Sequence, residues 1–307
     1  MPSMNHFRIL VDELSLPQAE RLAFIDFKIM YLGEITRQDI INEFRIGQAA
    51  ASNDLRLYRE RRPENSRLDH TTKKTVIVQE SYKPLVNIDA HTALDFIQNG
   101  FCRSRLHASQ PSLPVEIIDP RLAPNTLDDD QVATVTRAMK GQYGIKCEYE
   151  SRSSNNYHER ILFPVALFAD RQNWYVRAYD RTSSPAGFKN FKLSRIKTTK
   201  QILDEEQRSA RPEEKLENDI RWHTRVPLEL VVADDKIEQQ LSREFCLDNG
   251  RKTIICRSAL IYFTRVNWRI DVENGDDNIF YFKLANIESL KLMDIGDDLT
   301  KNIRFGN

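Results

Sequence analysis

The sequence predicts a multidomain α+β protein: an N-terminal winged helix, a small bent β-barrel or sandwich in the middle, and a C-terminal α/β module. Three observations predict it. The chain has 307 residues, more than the roughly 100 to 150 typical of one domain. Three helical patterns near the N-terminus run into two short strand patterns. Farther on, strand-like runs joined by polar turns give way to strands alternating with helices.

The 45 basic and 45 acidic residues cancel, so no overall positive field points to nucleic acid, and any such footprint must be local. With 29% charged and 40% hydrophobic residues and only 10 glycines, the composition is that of a folded globular chain. The four cysteines, Cys102, Cys147, Cys246 and Cys256, form no CxxC pair. That excludes the usual zinc-ribbon and dithiol motifs and leaves reduced structural thiols, with no metal site and no cofactor expected. The opening MPSMNHFRILVDELSL carries charges where a signal peptide is apolar. No run approaches the ~20 apolar residues that span a bilayer. A cytoplasmic chain with no membrane partner is expected.

The first module covers residues 1–85. Ser15, with Gln18 three positions later, reads as a capping box, and Pro17 suits a first helical turn. Leu22, Ile25, Ile29 and Leu32 then recur at helical spacing until Gly33 stops the helix. Thr36 with Asp39 opens a second, short helix through Ile40, Ile41 and Phe44 that ends near Ile46 and Gly47. In the third helix, QAAASNDLRLYRER, the residues Ala51, Leu55 and Tyr58 share a core-facing side. Its opposite side shows Ala49, Asn53 and Arg56, flanked by Gln48, Ser52 and Arg59. A small, polar and basic face suits a helix that reads base edges, because Asn, Gln and Arg can pair bidentately with purines; an ordinary solvated face is the alternative.

NSRLDHTTKKTVIVQ follows as a strand, a polar turn at Thr71 to Lys73 and a second strand at Lys74 to Gln79, which is a wing. From Arg56 to Lys74, seven basic residues stand against three acidic ones, the kind of local cluster that phosphate neutralisation requires. The candidate DNA contacts are Thr36 and Arg37 on the second helix, Gln48, Ser52, Asn53, Arg56 and Arg59 on the third, and Lys73 and Lys74 in the wing.

Residues 86–126 read as a linker with a helical segment around His91 to Phe101 and with prolines at Pro111, Pro114, Pro120 and Pro124. The second module, residues 127–203, opens with a helix at Leu127 to Lys140 that Asp128, Asp129 and Asp130 cap. Strand-like segments follow at Ile145 to Ser151, Ile161 to Ala169, Trp174 to Asp180 and Phe188 to Leu193. Alternation puts Tyr175, Arg177 and Tyr179 on one face and Trp174, Val176 and Ala178 on the other. The apolar face belongs in a core. The Tyr/Arg face fits a pocket where rings stack a base and guanidinium groups hold phosphate. Tyr149, Ser151 and Ser153 alternate on their own strand and supply hydroxyls.

YESRSS (149–154), the Pro164-containing ILFPVALF, NWYVRAYD (173–180) with its Trp174-Tyr175-Val176 triad, and FKLSRI (191–196) resemble a WYL domain. Together with QAAASNDLRLYRE and LENDIRWHTRVPLELV (216–231), they make the chain similar to the bacterial WYL repressors that accompany BREX and CBASS phage-defence loci. The resemblance implies an Sm-like β-barrel for the WYL module, a C-terminal extension domain and a homodimer. It also implies a ligand-responsive repressor of a defence operon, including its own promoter, acting on palindromic double-stranded operator DNA. A dimer suits such an operator, since one winged helix reads few base pairs. Arg195 stands where the family carries a ligand-contacting arginine. The implied site for a nucleotide or oligonucleotide is then Tyr149, Ser151, Ser153, Tyr175, Arg177 and Arg195. Arg152, Arg160 and Arg181 stay open between surface, ion pair and pocket. Val165 departs from the pattern, where relatives often carry His after the strand proline, and so points to a shifted ligand preference. The residues do not choose between repression, activation and sensing of single-stranded DNA from damage.

The third module, residues 204–307, begins with a charged stretch, DEEQRSARPEEKLEND, read as a solvated connection. Strand VPLELVVA, a helix at Asp235 to Phe245, a strand at Thr253 to Cys256, a helix at Ser258 to Asn267 and a strand at Ile279 to Leu284 give an α+β pattern. His223 reads as structural, with no nucleophile or acidic partner at a recognisable spacing. A nucleotide-processing enzyme is the rival class. It finds no GxxxxGK[ST] loop, HExxH, GxSxG or Gly-rich dinucleotide turn, and no catalytic residue is expected.

Overall fold

The computed structural model describes residues 3–106, 126–151, 157–170, 173–271, 280–293 and 299. The chain divides into two compact units, residues 1–167 with 173–210 and residues 168–172 with 211–307.

The first unit starts with α1 (Ser3–Glu13), α2 (Leu16–Leu32), β1 (Glu34–Ile35), α3 (Arg37–Phe44), α4 (Gln48–Arg61), β2 (Ser66–Asp69) and β3 (Lys74–Ile77). The strands form an antiparallel sheet in the order β1-β3-β2, so the predicted wing gains a short strand from between the helices. Gly33 ends α2 with a left-handed φ of 80°, the conformation that favours glycine. The Thr36–Asp39 capping box forms in full. The one expected at Ser15 does not, as Ser15 makes no side-chain cap bond and Gln18 donates instead to Asp54 Oδ1 at 3.3 Å. Asp54, almost fully buried on α4, draws donors inward and also receives Arg21 Nε at 2.6 Å.

The helix expected in the linker is α5 (Ala90–Asn99). It belongs to the N-terminal core: Ala93, Leu94 and Phe96 are buried, and Phe96 meets Phe27 edge-on at 5.3 Å. The linker prolines lie outside the described residues. Next comes α6 (Asp129–Gly141). Asp128 accepts the Gln131 N–H at 2.9 Å, and Asp129 accepts the Ala90 N–H at 2.6 Å.

Five strands follow: β4 (Ile145–Glu150), β5 (Tyr157–Ala169), β6 (Trp174–Asp180), β7 (Gly187–Lys192) and β8 (Ile196–Gln201), in the sheet order β7-β6-β5-β4-β8. Four of them match the sequence expectation; β8, polar and lysine-rich, was not expected. The closed Sm-like barrel implied by the resemblance does not form either. Among the described residues β7 and β8 are the two edges of an open sheet, and the chain passes between those edges through a 3-10 turn at Leu193–Arg195. The Lys192 N–H at the end of β7 is taken by the Tyr149 hydroxyl at 3.2 Å, so a side chain stands where a closing strand would pair.

Helix α6 seats directly on α2. The Thr136 hydroxyl donates to the Tyr31 carbonyl and Arg137 Nη1 to the Met30 carbonyl, both at 2.6 Å. Those carbonyls lie in the last turn of α2, where the helix's own ladder runs out, and the Arg137 cation complements the negative end of the helix. Winged helix and WYL segment are therefore one unit. It closes with α7 (Glu205–Arg208). The charged stretch from 204 folds locally, because its carboxylates cap N–H groups: Asp204 accepts from Gln207 at 2.9 Å and the buried Glu214 from Arg211 at 2.8 Å.

The second unit contains α8 (Ile220–His223), β9 (Arg225–Val232), α9 (Glu238–Phe245), β10 (Arg251–Arg257), α10 (Ile261–Trp268), β11 (Ile270–Asp271), β12 (Phe282–Leu284) and α11 (Ile287–Lys291). Its sheet order is β10-β9-β12-β11. Val226, Leu228 and Leu230 alternate inward along β9 onto Ile261 and Phe282, as the period of a half-buried strand requires. The His223 ring bonds the Leu216 carbonyl at 2.9 Å. Among the described residues no helix is long and apolar enough to cross a membrane.

Candidate nucleic-acid interface

Helix α4 has two contrasting faces. Ala51, Asp54 and Tyr58 are buried; Gln48, Ala49, Asn53 and Arg56 are exposed, with Ser52 and Arg59 half-buried beside them. Polar bonds fix the inner face. Asp54 pairs with Arg21, and the Tyr58 hydroxyl donates to Asp26 Oδ1 at 2.7 Å. Asp26 lies inside α2 and is 1% exposed. Its carboxylate also receives the Tyr82 hydroxyl and the Leu85 and Val86 N–H groups, all between 2.8 and 2.9 Å. Burial pushes the Asp26 carboxyl above its ordinary range against the pull of those four donors. Burial likewise pushes the Tyr58 and Tyr82 phenols up, reinforced by the Asp26 charge. One carboxylate thus ties α2, α4 and the chain leaving the wing. Nothing in the sequence pattern marked Asp26, because its partners come from positions 58 to 86.

The outer face is held by weaker, exposed bonds. Arg56 bonds Glu60 through Nη1 and Asn53 Oδ1 through Nη2, the latter at 2.7 Å. Arg37 Nη1 reaches Ser52 Oγ at 3.3 Å. These bonds pair the predicted readers Asn53 with Arg56 and Ser52 with Arg37. Thr36 is occupied as the cap of α3. Arg59 Nε donates to Leu55 of its own helix. In the wing, Asp69 accepts from the N–H groups of Thr71 and Thr72, a turn that leaves Lys73 exposed at φ 59°. Lys74 differs from its neighbour: its ammonium pairs with Glu34 at 2.8 Å. Two exposed cations went unnamed among the candidates. Arg67 lies on β2, and Arg45 ends α3 at φ 54°. The glycine two residues after Arg45 was the available signal, since a helix-turn-helix corner there puts residue 45 beside the start of α4.

On the WYL strands, Tyr149 and Arg177 face inward. Tyr149 packs edge-on against Phe191 at 5.0 Å, and its hydroxyl accepts from Lys192. Arg177 is 2% exposed and donates to Asn190 Oδ1 at 3.2 Å. Strand alternation placed Arg177 on a Tyr/Arg face suited to a pocket. Val176, Arg177 and Ala178 are all buried, on a strand flanked by β5 and β7. Tyr175 is half-buried and pairs in register with Lys192. Ser151 follows the end of β4, and Ser153 lies outside the described residues. Arg195 sits half-buried in the 3-10 turn between β7 and β8. Of the three arginines left open, Arg160 pairs with the fully buried Asp180. Arg181 donates to the carbonyls of Gln207 and Ser209. Arg152 lies outside the described residues.

Two family models match the chain: the BrxR transcriptional regulator winged helix-turn-helix domain over residues 17–99 and the WYL domain over residues 130–201. The chain is similar to proteins named DNA-binding transcriptional repressor CapW. The one from Stenotrophomonas maltophilia is 27% identical, over 80% of this chain and 81% of its own. The one from Pseudomonas aeruginosa is 25% identical, over 89% and 91%. The one from Escherichia coli is 26% identical, over 80% and 81%.

Proposed function

From the matches to the WYL domain and the BrxR transcriptional regulator winged helix-turn-helix domain, we propose that this chain is a transcriptional regulator that represses transcription by binding double-stranded operator DNA. The observation that carries the reading is the outer face of α4. Gln48, Asn53 and Arg56 are exposed there, while Asp54 and Tyr58 on the inner face are locked to α2. A rigid helix presenting short polar and forked cationic side chains can enter a major groove, and Arg37, Arg67 and Lys73 beside it can hold phosphates. The similar proteins named as repressors support the direction of control.

In this reading the chain acts as a cytoplasmic homodimer on a palindromic operator and controls a phage-defence operon that includes its own promoter. A nucleotide or oligonucleotide relieves repression through the WYL strands. Arg195 is the best-placed of the predicted ligand contacts, since it makes no hydrogen bond or ion pair among the described residues. Arg177 serves by shaping the strand from inside. The ligand must favour one of two dimer geometries to act at all. The test is a gel shift on DNA from upstream of the chain's own gene. Wild-type protein should retard it, and Arg56→Ala and Asn53→Ala proteins should bind more weakly while eluting at the same size; equal retardation by all three would overturn the assignment of α4.

A further inference from the structure

Between the wing and α6, within the first unit, lies a cleft of about 730 Å³, a size usual for small-molecule sites. Five cationic side chains line it, Arg67, Lys74, Arg137, Lys140 and Arg208, against the carboxylates of Glu34 and Glu80. On a chain with as many acidic as basic residues, that excess is local. Internal partners neutralise only part of it. Lys74 is paired with Glu34, and Arg208 stands 4.0 Å from Glu205. The side chains of Arg67 and Lys140 make no hydrogen bond or ion pair among the described residues. The Nε atoms of Arg137 and Arg208 are buried, also without a partner among the described residues. Burial disfavours the Arg137 charge, and a buried N–H lacking an acceptor is unfavourable. An anion in the cleft would offset the cost of burying the Arg137 charge.

The walls also indicate which anion. Tyr143 carries the Arg208 guanidinium 4.2 Å above its ring, so that face is closed to a base. Guanidinium forks and an ammonium instead match the oxygens of phosphate groups. We propose that this cleft is a binding site for a polyphosphate group, either pyrophosphate or the phosphate tail of a nucleotide, held by Arg67 from the wing and by Arg137, Lys140 and Arg208 from the WYL segment. The site is separate from the WYL strands carrying Tyr175 and Arg195. An anion held there engages Arg67, a wing cation that otherwise faces DNA, and sits beside Arg137, which holds the end of α2. That consequence for DNA rests on the winged-helix reading; the site itself does not.

Calorimetric titration of pyrophosphate, and separately of ATP, into the full chain without DNA reads the site alone. Both probes should bind, and Lys140→Glu and Arg208→Gln should each weaken binding by about tenfold or more, as loss of a charge contact does. Arg56→Ala and Arg195→Ala should leave pyrophosphate binding unchanged. Lys140 is exposed, so Lys140→Glu folds and decides the matter if Arg208→Gln does not. The proposal is overturned by no binding of either probe, by undiminished binding in Lys140→Glu, or by ATP binding without pyrophosphate binding. It is also overturned by a loss of pyrophosphate binding that follows Arg56→Ala, which would place the anion on the DNA face, or Arg195→Ala, which would place it on the WYL strands.

Discussion

The Tyr58 hydroxyl on α4 donates to the Asp26 carboxylate inside α2 at 2.7 Å, and this bond sets the angle at which the outer face of α4 is presented. Tyr58→Phe keeps the ring but removes the donor, leaving Asp26 with three. A loss of about 1.5 to 3 kcal/mol in urea unfolding is expected, the usual cost of one buried bond to a charged group. An unchanged midpoint would show that the bond contributes nothing to the seating of α4.

Asp26 also predicts a pH dependence. Burial raises its carboxyl pKa in the folded chain, so the folded chain holds this proton to a higher pH than the unfolded chain does. Its contribution to stability is therefore fully present below the ordinary carboxylate range and declines as pH rises through the raised value. Asp26→Asn should flatten that part of the profile of unfolding midpoint against pH. It should also lower stability overall, since the amide turns one acceptor into a donor facing other donors. A parallel profile in the variant would contradict the assignment.

Arg56 and Arg67 should separate base reading from phosphate binding. Arg56→Ala should cost roughly 1 to 3 kcal/mol of operator affinity and relax preference at one base pair, as loss of a bidentate contact does. Arg67→Ala should weaken binding to all sequences alike and lower the salt slope by about one. Fluorescence anisotropy across a salt series measures both. A salt slope unmoved by Arg67→Ala would remove the wing from the interface.

On the WYL strands, burial separates two arginines that the sequence motif treats alike. Arg177→Ala empties a buried site and leaves Asn190 Oδ1 without this donor, so a thermal midpoint several degrees lower is expected, in line with a loss of about 2 kcal/mol or more. Arg195→Ala should leave the midpoint unchanged and abolish only the release of operator DNA by oligonucleotides. Wild-type release by the Arg195→Ala protein would exclude it from the ligand site.

The thiols should react in two classes. Burial pushes the Cys147 thiol up to about 12 and raises that of Cys256 as well, whereas Cys102 and Cys246 are exposed. Thiolate is the reactive form. Iodoacetamide near neutral pH should therefore label Cys102 and Cys246 in the native chain, and Cys147 and Cys256 only after unfolding, as read by peptide mass spectrometry. Early labelling of Cys147 would mean that the β4 region opens readily.

The sequence by itself determined whatever depends on neighbours along the chain. The stop at Gly33, the Thr36–Asp39 cap, the two faces of α4, the wing turn and most strands of both larger sheets follow from periodicity, caps and turn residues within a dozen positions. Tertiary structure decided whatever depends on partners far apart in sequence. Gln18 and Arg21 turn to Asp54 across more than thirty residues, which dissolves the Ser15 capping box. Arg137 and Thr136 close the end of α2 from more than a hundred residues away, joining two expected domains into one unit. Strand β8 pairs with β4 although its own residues are polar, because its place at the sheet edge asks little of hydrophobic pattern. Arg177, placed by alternation on a polar pocket face, is 2% exposed and bonded to Asn190 on the neighbouring strand, a burial that alternation along one strand does not report.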